Sequence, residues 1–233
     1  MLYEIRNLTK TYGMNESLVT ALDDVTLSIP KSRFIVILGA SGSGKSTLLN
    51  MIGGMDQPTK GSVLFGREDI STCKKSRLTT FRKDNIGFIF QSYNLLSDLT
   101  ALENVELSTE MANLSANAAS KSLELVGLKE RLHHFPAQMS GGEQQRVSIA
   151  RAIAKQPKVL LCDEPTGALD FQTGISVLEV LKQIHREQET SIIFITHNKE
   201  IAKIADMVIE LRSGKIFNVT ENQNPSDPGE VAW

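Results

Sequence analysis

Two rhythms of apolar and polar residues run along the chain. From Tyr3 to Leu8 and from Val25 to Ile29 the two kinds of side chain alternate, as in strands that bury one face; Val63 to Phe65 is a shorter third case. These segments predict a small antiparallel sheet near the start. Three other runs are apolar without a break: Phe34-Ile35-Val36-Ile37-Leu38, Val159-Leu160-Leu161-Cys162 and Ile192-Ile193-Phe194-Ile195. A strand covered on both faces needs such a run, so these predict the centre of a parallel sheet. Apolar residues also recur every three or four positions at Ile175, Leu178, Leu181 and Ile184 and at Val147, Ala150, Ile153 and Ala154, the stripe of a helix packed on a sheet. Strands alternating with helices predict an α/β fold.

Residues 91–157 depart from this pattern. Apolar runs are few there, helix formers extend from Ala116 to Leu125, and Gly127 and Pro136 punctuate the segment. The expectation is one domain over 1–233, in which a helical subdomain at 91–157 is inserted into a core built from 1–90 and 158–220. The ending at 221–233, ENQNPSDPGEVAW, has two prolines, three acids and no base, which predicts a solvated, flexible tail that includes Trp233.

Composition narrows the function classes. The 233 residues are 41% hydrophobic, enough for a substantial core, and this excludes disorder as the main state. Lys and Arg number 25 against 27 Asp and Glu, for a net charge of -2. That balance lacks the basic excess of a chain that tracks nucleic acid phosphates, so no nucleic acid partner is expected. The apolar runs stop far short of the roughly 20 residues of a membrane-crossing helix. The first residues, MLYEIRNLTK, are charged and alternating, so a cytoplasmic chain is expected. Cys73 and Cys162 sit in unlike contexts, the second inside an apolar run, which suits a small buried side chain better than a disulfide. His133-His134 has no third ligand nearby and reads as surface.

The chemistry starts after the Phe34–Leu38 strand. Gly39-Ala40-Ser41-Gly42-Ser43-Gly44-Lys45-Ser46 fits G-x-x-x-x-G-K-[ST], and Thr47-Leu48-Leu49-Asn50-Met51 continues as a helix. The glycines let successive N–H groups turn toward an anion, and the helix adds its positive end. Lys45 is expected on the β and γ phosphates of a nucleotide and Ser46 on Mg²⁺. The dinucleotide pattern G-x-G-x-x-G is absent because Thr47 stands at its last glycine, which disfavours NAD. Asp163 and Glu164 follow the Val159–Cys162 strand, at the carboxyl end where open α/β sheets bind ligands. Asp163 is suited to Mg²⁺ and Glu164 to orienting or deprotonating an attacking water.

Further segments complete a set: KTYG from Lys10, Gln91 after IGFIF, Met139-Ser140-Gly141-Gly142-Glu143 followed by QQRVSIARA, LLCDEPTGALD from Leu160 to Asp170, and His197 after IIFIT. Together they resemble the ATP-binding-cassette (ABC) ATPases over about residues 2–219, most closely the branch that serves macrolide export, lipoprotein release and antimicrobial-peptide export or sensing. The resemblance implies a P-loop NTPase core with a mostly parallel sheet, an N-terminal antiparallel β-subdomain and an inserted helical subdomain. It further implies that Gly39 to Thr47 wrap the phosphates and that Tyr12 stacks on adenine. Gln91 would contact Mg²⁺ and sense the γ phosphate, Glu164 would be the catalytic base, and His197 and Lys45 would contact the γ phosphate.

Ser140-Gly141-Gly142 opens a helix and by itself reads as a helix start or as an anion site. In the family it faces the γ phosphate held by a second copy, so two copies sandwich two ATP molecules, with Asp170 at the same interface. Met139 and Glu143 stand where leucine and glutamine are commoner, and Lys31-Ser32-Arg33 stands where many relatives have a Gly-Glu turn. The resemblance also implies a separate membrane permease, which would place this chain on the inner face of the cell membrane. Tyr93, Leu95 and Leu96 either line a groove for the permease's coupling helix or pack inside the helical insertion. Two outputs remain open on the residues: a transport motor, and a signalling switch that acts through a membrane partner.

Overall fold

A computed structural model describes residues 1–13, 17–115 and 117–231 of the chain. It contains two sheets. The first is antiparallel and orders β2 (Val19–Ile29), β1 (Tyr3–Tyr12), β4 (Lys60–Phe65) and β5 (Glu68–Asp69). The second runs β10 (Lys215–Glu221), β9 (Met207–Arg212), β3 (Phe34–Leu38), β8 (Ser191–Thr196), β7 (Val159–Asp163) and β6 (Ile86–Phe90), parallel throughout except for the β9–β10 hairpin. The three unbroken runs are β3, β7 and β8 and lie inside this sheet, in agreement with the α/β expectation.

Their composition follows from where alternate residues go. Phe34 and Val36 of β3, Leu160 and Cys162 of β7, and Ile192 and Phe194 of β8 belong to one core with the helices α5 (Gly141–Ile153) and α6 (Phe171–Gln188). Ile35, Ile37, Leu161, Ile193 and Ile195 point the other way, into a second core with α1 (Lys45–Ile52) and the buried face of the antiparallel sheet. Neither face meets water, so the interior positions of these strands are apolar, and the buried polar residues of β8, Ser191 and Thr196, stand at its two ends.

Between β6 and β7 the chain forms α3 (Ala101–Met111), α4 (Asn117–Leu125) and α5, which pack on one another through Val105, Leu123 and Val147. Ala116, at the start of the expected helix, lies outside the described residues. The turn at Lys31-Ser32-Arg33 is made with Ser32 in the left-handed region at φ 49, where glycine fits more easily, and its N–H donates to Ser191 Oγ at 2.9 Å.

One expectation is corrected. Residues 222–231 do not extend into solvent but pack along the body: Asn222 N–H donates to Asp206 O and Ser226 N–H to Lys203 O, Arg186 pairs with Asp227 at 2.8 Å, and Val231 is only 2% exposed. The polar composition is satisfied by backbone bonds, and Pro228 and Val231 supply the apolar anchors. Trp233 lies outside the described residues.

Candidate functional site

The site gathers at the carboxyl ends of β3, β6, β7 and β8. After Leu38 the chain cannot carry side chains on its inner side: a Cβ on Gly39 would lie 2.3 Å from Ser43 Oγ and 2.6 Å from Leu211 O, and one on Gly44 2.5 Å from Ala21 O. Gly42 and Gly44 adopt φ of 75° and 103°. The loop so formed delivers Lys45 to its centre, 6% exposed, with Nζ donating to Gly39 O (2.9 Å) and Ala40 O (3.1 Å). The buried Ser43 hydroxyl has no hydrogen-bond partner. An amide-lined loop with a buried lysine and an unpaired hydroxyl is what a polyphosphate satisfies.

Across from the loop, Ser46 Oγ donates to Asp163 Oδ1 at 3.3 Å. Burial pushes the Asp163 carboxyl above the usual carboxylate range, and although Ser46 opposes this, the neighbouring Glu164 charge adds to it. Glu164 lies 3.7 Å from Lys45 Nζ through Oε1, and 3.1 Å from His197 Nδ1 through Oε2. His197 is largely exposed. Gln91 follows β6, whose Phe90 pairs with Asp163, and the Gln91 amide lies against Gly167 in the turn after Glu164. Six predicted site residues, Lys45, Ser46, Gln91, Asp163, Glu164 and His197, are therefore brought together. A hydroxyl, a carboxylate and an amide are the sparse oxygen set that suits Mg²⁺, which keeps much of its water.

Ser140 and Asp170 take local roles in the chain itself. The Ser140 hydroxyl accepts from Glu143 N–H, the Glu143 carboxylate accepts from Ser140 N–H, and Arg131 pairs with the same carboxylate at 3.0 Å. Asp170 caps α6 by accepting from the Thr173 N–H and hydroxyl. A Cβ added at Gly141 or Gly142 would first meet Tyr93, Leu169, Thr173 and Arg146, not the Gly39–Ser46 loop. Tyr12, at the end of β1, is 41% exposed. Of the three apolar residues after Gln91, Leu95 packs against the helical core, Leu96 is 52% exposed, and Tyr93 is half-buried with its hydroxyl beside Gly141. Arg151 holds this segment by donating to Tyr93 O and Asn94 O.

Sequence reasoning missed Ser43 as a buried hydroxyl and did not connect Lys10 and Asp56 with Tyr12. A signal for Lys10 was present: two residues apart on a strand, it shares a face with Tyr12.

A strand, a glycine loop with a buried lysine, and an acidic pair at the end of β7, separated from β3 by β8, define a P-loop nucleoside triphosphatase. Comparison with known proteins makes this specific. Residues 22–167 match the family described as ABC transporter. An ABC transporter ATP-binding protein of Thermotoga maritima is 46% identical, over 93% of this chain and 94% of its own. The lipoprotein-releasing system ATP-binding protein LolD of Geobacter metallireducens is 44% identical over 92% and 97%. The macrolide export ATP-binding/permease protein MacB of Brucella melitensis is 44% identical over 97% of this chain, which spans 36% of that longer protein. Among solved structures, the dimeric ATP-binding cassette MJ0796 of Methanocaldococcus jannaschii superposes with a TM-score of 0.88 at 39% identity, covering 95% of this chain and 99% of that one. The same cassette has also been solved as a dimer after hydrolysis, bound to ADP and Pi, with a TM-score of 0.85. The chain belongs to the ABC transporter family, as its ATP-binding and ATP-hydrolysing component. No helix among the described residues is long and apolar enough to cross a membrane.

Proposed function

We propose that two copies of this chain close head to tail around two ATP molecules and thereby drive a separate membrane permease that exports or extracts an amphiphilic substrate, of the macrolide, lipoprotein or antimicrobial-peptide type. The observation that carries the head-to-tail reading is the start of α5. It is capped by Ser140, and a Cβ at Gly141 or Gly142 would first meet Tyr93, Leu169, Thr173 and Arg146, not the phosphate loop of its own chain. A helix N-terminus with glycine amides favours an anion, and in the proposed dimer that anion is the γ phosphate held on the other copy. The dimers of the MJ0796 cassette support the pairing of two copies.

Within each site Lys45 and His197 face the γ phosphate, and Glu164 accepts a proton from the attacking water. Tyr12 stacks on adenine. Ser46, Asp163 and Gln91 hold Mg²⁺, which when bound neutralises charge on the β and γ phosphates. Closure is favoured because its contacts exist only with triphosphate present, and loss of the γ phosphate removes them. The exposed Leu96, with Leu107 and Met111 on α3, offers apolar contacts for the permease at the inner face of the membrane. Relatives named for export and for lipoprotein release favour a motor over a signalling switch.

Glu164→Gln tests the reading. The variant is expected to bind ATP, to accumulate as an ATP-dependent dimer by light scattering, and to lose turnover by about 10²–10⁴-fold, the contribution of a positioned base. Unchanged phosphate release would remove Glu164 from the mechanism. A dimer that still forms in Glu164→Gln/Ser140→Arg would remove the head-to-tail arrangement.

A further inference from the structure

Around Tyr12 the structure builds more than a lone exposed aromatic. The phenol O–H donates to Asp56 Oδ2 at 3.0 Å, and the Lys10 ammonium lies 4.8 Å from the centre of the ring. Lys10 Nζ also pairs with Asp56 (2.8 Å to Oδ2, 2.9 Å to Oδ1) and donates to Gln57 O at 2.7 Å, so that its side chain is only 12% exposed. Asp56 accepts a fourth bond from the Gln57 N–H. Its own position is set by α1, since Met55 N–H and Asp56 N–H both donate to Asn50 O. Thr47, two residues beyond Lys45, is a further polar neighbour of the phenol.

The charges agree with the geometry. Burial works against the Asp56 carboxylate, yet the bonds from Lys10, Gln57 and Tyr12 outweigh it and hold the group below its ordinary range. Burial and the Asp56 bond keep the Tyr12 phenol protonated and therefore a donor.

We propose that Asp56 and Lys10 are positioning residues for the nucleobase: they fix the plane of the Tyr12 ring, with one face against the Lys10 ammonium and the other presented to adenine. This rests on the assignment of Tyr12 to adenine. A free tyrosine on a strand end must be ordered when the base binds, whereas a ring already held at its hydroxyl and one face need not be. Pre-ordering one such side chain is worth about two- to tenfold in affinity. The clamp also ties the base platform to α1, the helix that carries Lys45 and Ser46, so that base and phosphate subsites keep a fixed separation.

A plain structural role, pinning the 53–59 turn to β1, makes a different prediction. ADP and inorganic pyrophosphate share the diphosphate and differ in base and ribose, so the ratio of their dissociation constants isolates the base subsite. Both are measured by calorimetry with Mg²⁺ on the full chain. Tyr12→Ala is expected to reduce the preference for ADP by about tenfold, within the range of base–aromatic stacking. Asp56→Ala and Lys10→Met should each reduce it by about two- to tenfold with pyrophosphate affinity unchanged, and raise KM for ATP with kcat retained; Tyr12→Phe, which loses only the bond to Asp56, should reduce the preference over the same range. Tyr12→Ala/Asp56→Ala should fall no further than Tyr12→Ala alone. If Tyr12→Ala lowers the preference but Asp56→Ala and Lys10→Met weaken both ligands equally, or act additively with it, the clamp is refuted and the stacking assignment stands. If Tyr12→Ala leaves the preference unchanged, the stacking assignment fails and the clamp with it.

Discussion

Asp163→Asn should stabilise the nucleotide-free chain while abolishing its hydrolysis. Asp163 is half-buried at the end of β7, where burial raises its carboxyl above the usual range; the Ser46 bond and the Lys45 charge oppose this, the Glu164 charge adds to it, and burial prevails. Asparagine keeps the shape and an oxygen for the Ser46 hydroxyl but carries no charge. Removing one unfavourable charge at a functional site is typically worth about 1 kcal/mol. For a chain of this size that is a rise in Tm of about 2–4 °C. The pH dependence has a definite sign. Below the unfolded value near 3.9 the carboxyl is protonated in both states and Asp163 contributes no penalty. As pH rises above it, the folded chain holds the proton longer than the unfolded chain, so stability of the parent falls until Asp163 is fully ionised. The variant has no such decline. The gap in Tm should therefore open from about pH 4 toward neutrality, measured by calorimetry or dichroism in EDTA. Mg·ATP should invert the order at neutral pH, because it stabilises only the chain that binds it. A parent more stable than the variant at pH 7.5 in EDTA, or a gap independent of pH, would refute the account.

Three further substitutions test the packing around the site. Gly53→Ala puts a Cβ 2.4 Å from Phe88 Cζ and 2.9 Å from Leu161 Cδ1 behind α1, and the Phe88 ring is stacked on Phe90 at 5.6 Å; overpacking should cost about 1–3 kcal/mol, and an unchanged denaturation midpoint would show that the ring gives way. Val231→Asp places a charge where Val231 is buried against the α6 core and should cost about 2–4 kcal/mol in urea unfolding; no effect would mean that the terminal segment is solvated after all. Ser32→Gly relieves a left-handed serine and should add about 0.5–1 kcal/mol by the same assay, whereas a loss of stability would show that the backbone bond to Ser191 depends on the side chain.

Legibility in the sequence depended on whether a residue's reason lay next to it. The phosphate loop was readable because each glycine answers a local demand, visible as the clashes a Cβ would meet at Gly39 and Gly44. The central strands were readable because burial on both faces selects apolar residues at every interior position. By contrast α2 (Lys75–Asn85) went unnoticed, since only Leu78 and Phe81 are buried and eleven residues with two apolar contacts make no stripe. β10 is exposed along most of its length at the sheet edge, so KIFNVTE carries no burial signal. The terminal segment misled composition because its ties are backbone bonds to Lys203 and Asp206. Lys10 and Asp56 are 46 positions apart and are joined only once β1 and the turn after α1 meet.

Glu164 shows a further limit of the same kind. In a strand successive side chains point to opposite faces, so Asp163 and Glu164 could not both serve one site if β7 simply continued. The strand ends between them: Glu164 adopts φ 44, a left-handed conformation that costs a residue with a side chain about 1–3 kcal/mol. Two backbone bonds hold it there, from Glu164 N–H to Ile195 O at 3.1 Å and from Gly167 N–H to Glu164 O at 3.0 Å. The first ties it to β8, the strand that ends just before His197; the second closes the turn over which Gln91 lies. The apolar run that identifies β7 says where the acids begin but not that the backbone reverses its handedness between them. Without that reversal Asp163 could still reach Ser46, but Glu164 would turn away from Lys45 and His197. The strain at one residue is thus what lets two adjacent carboxylates take different partners in one site.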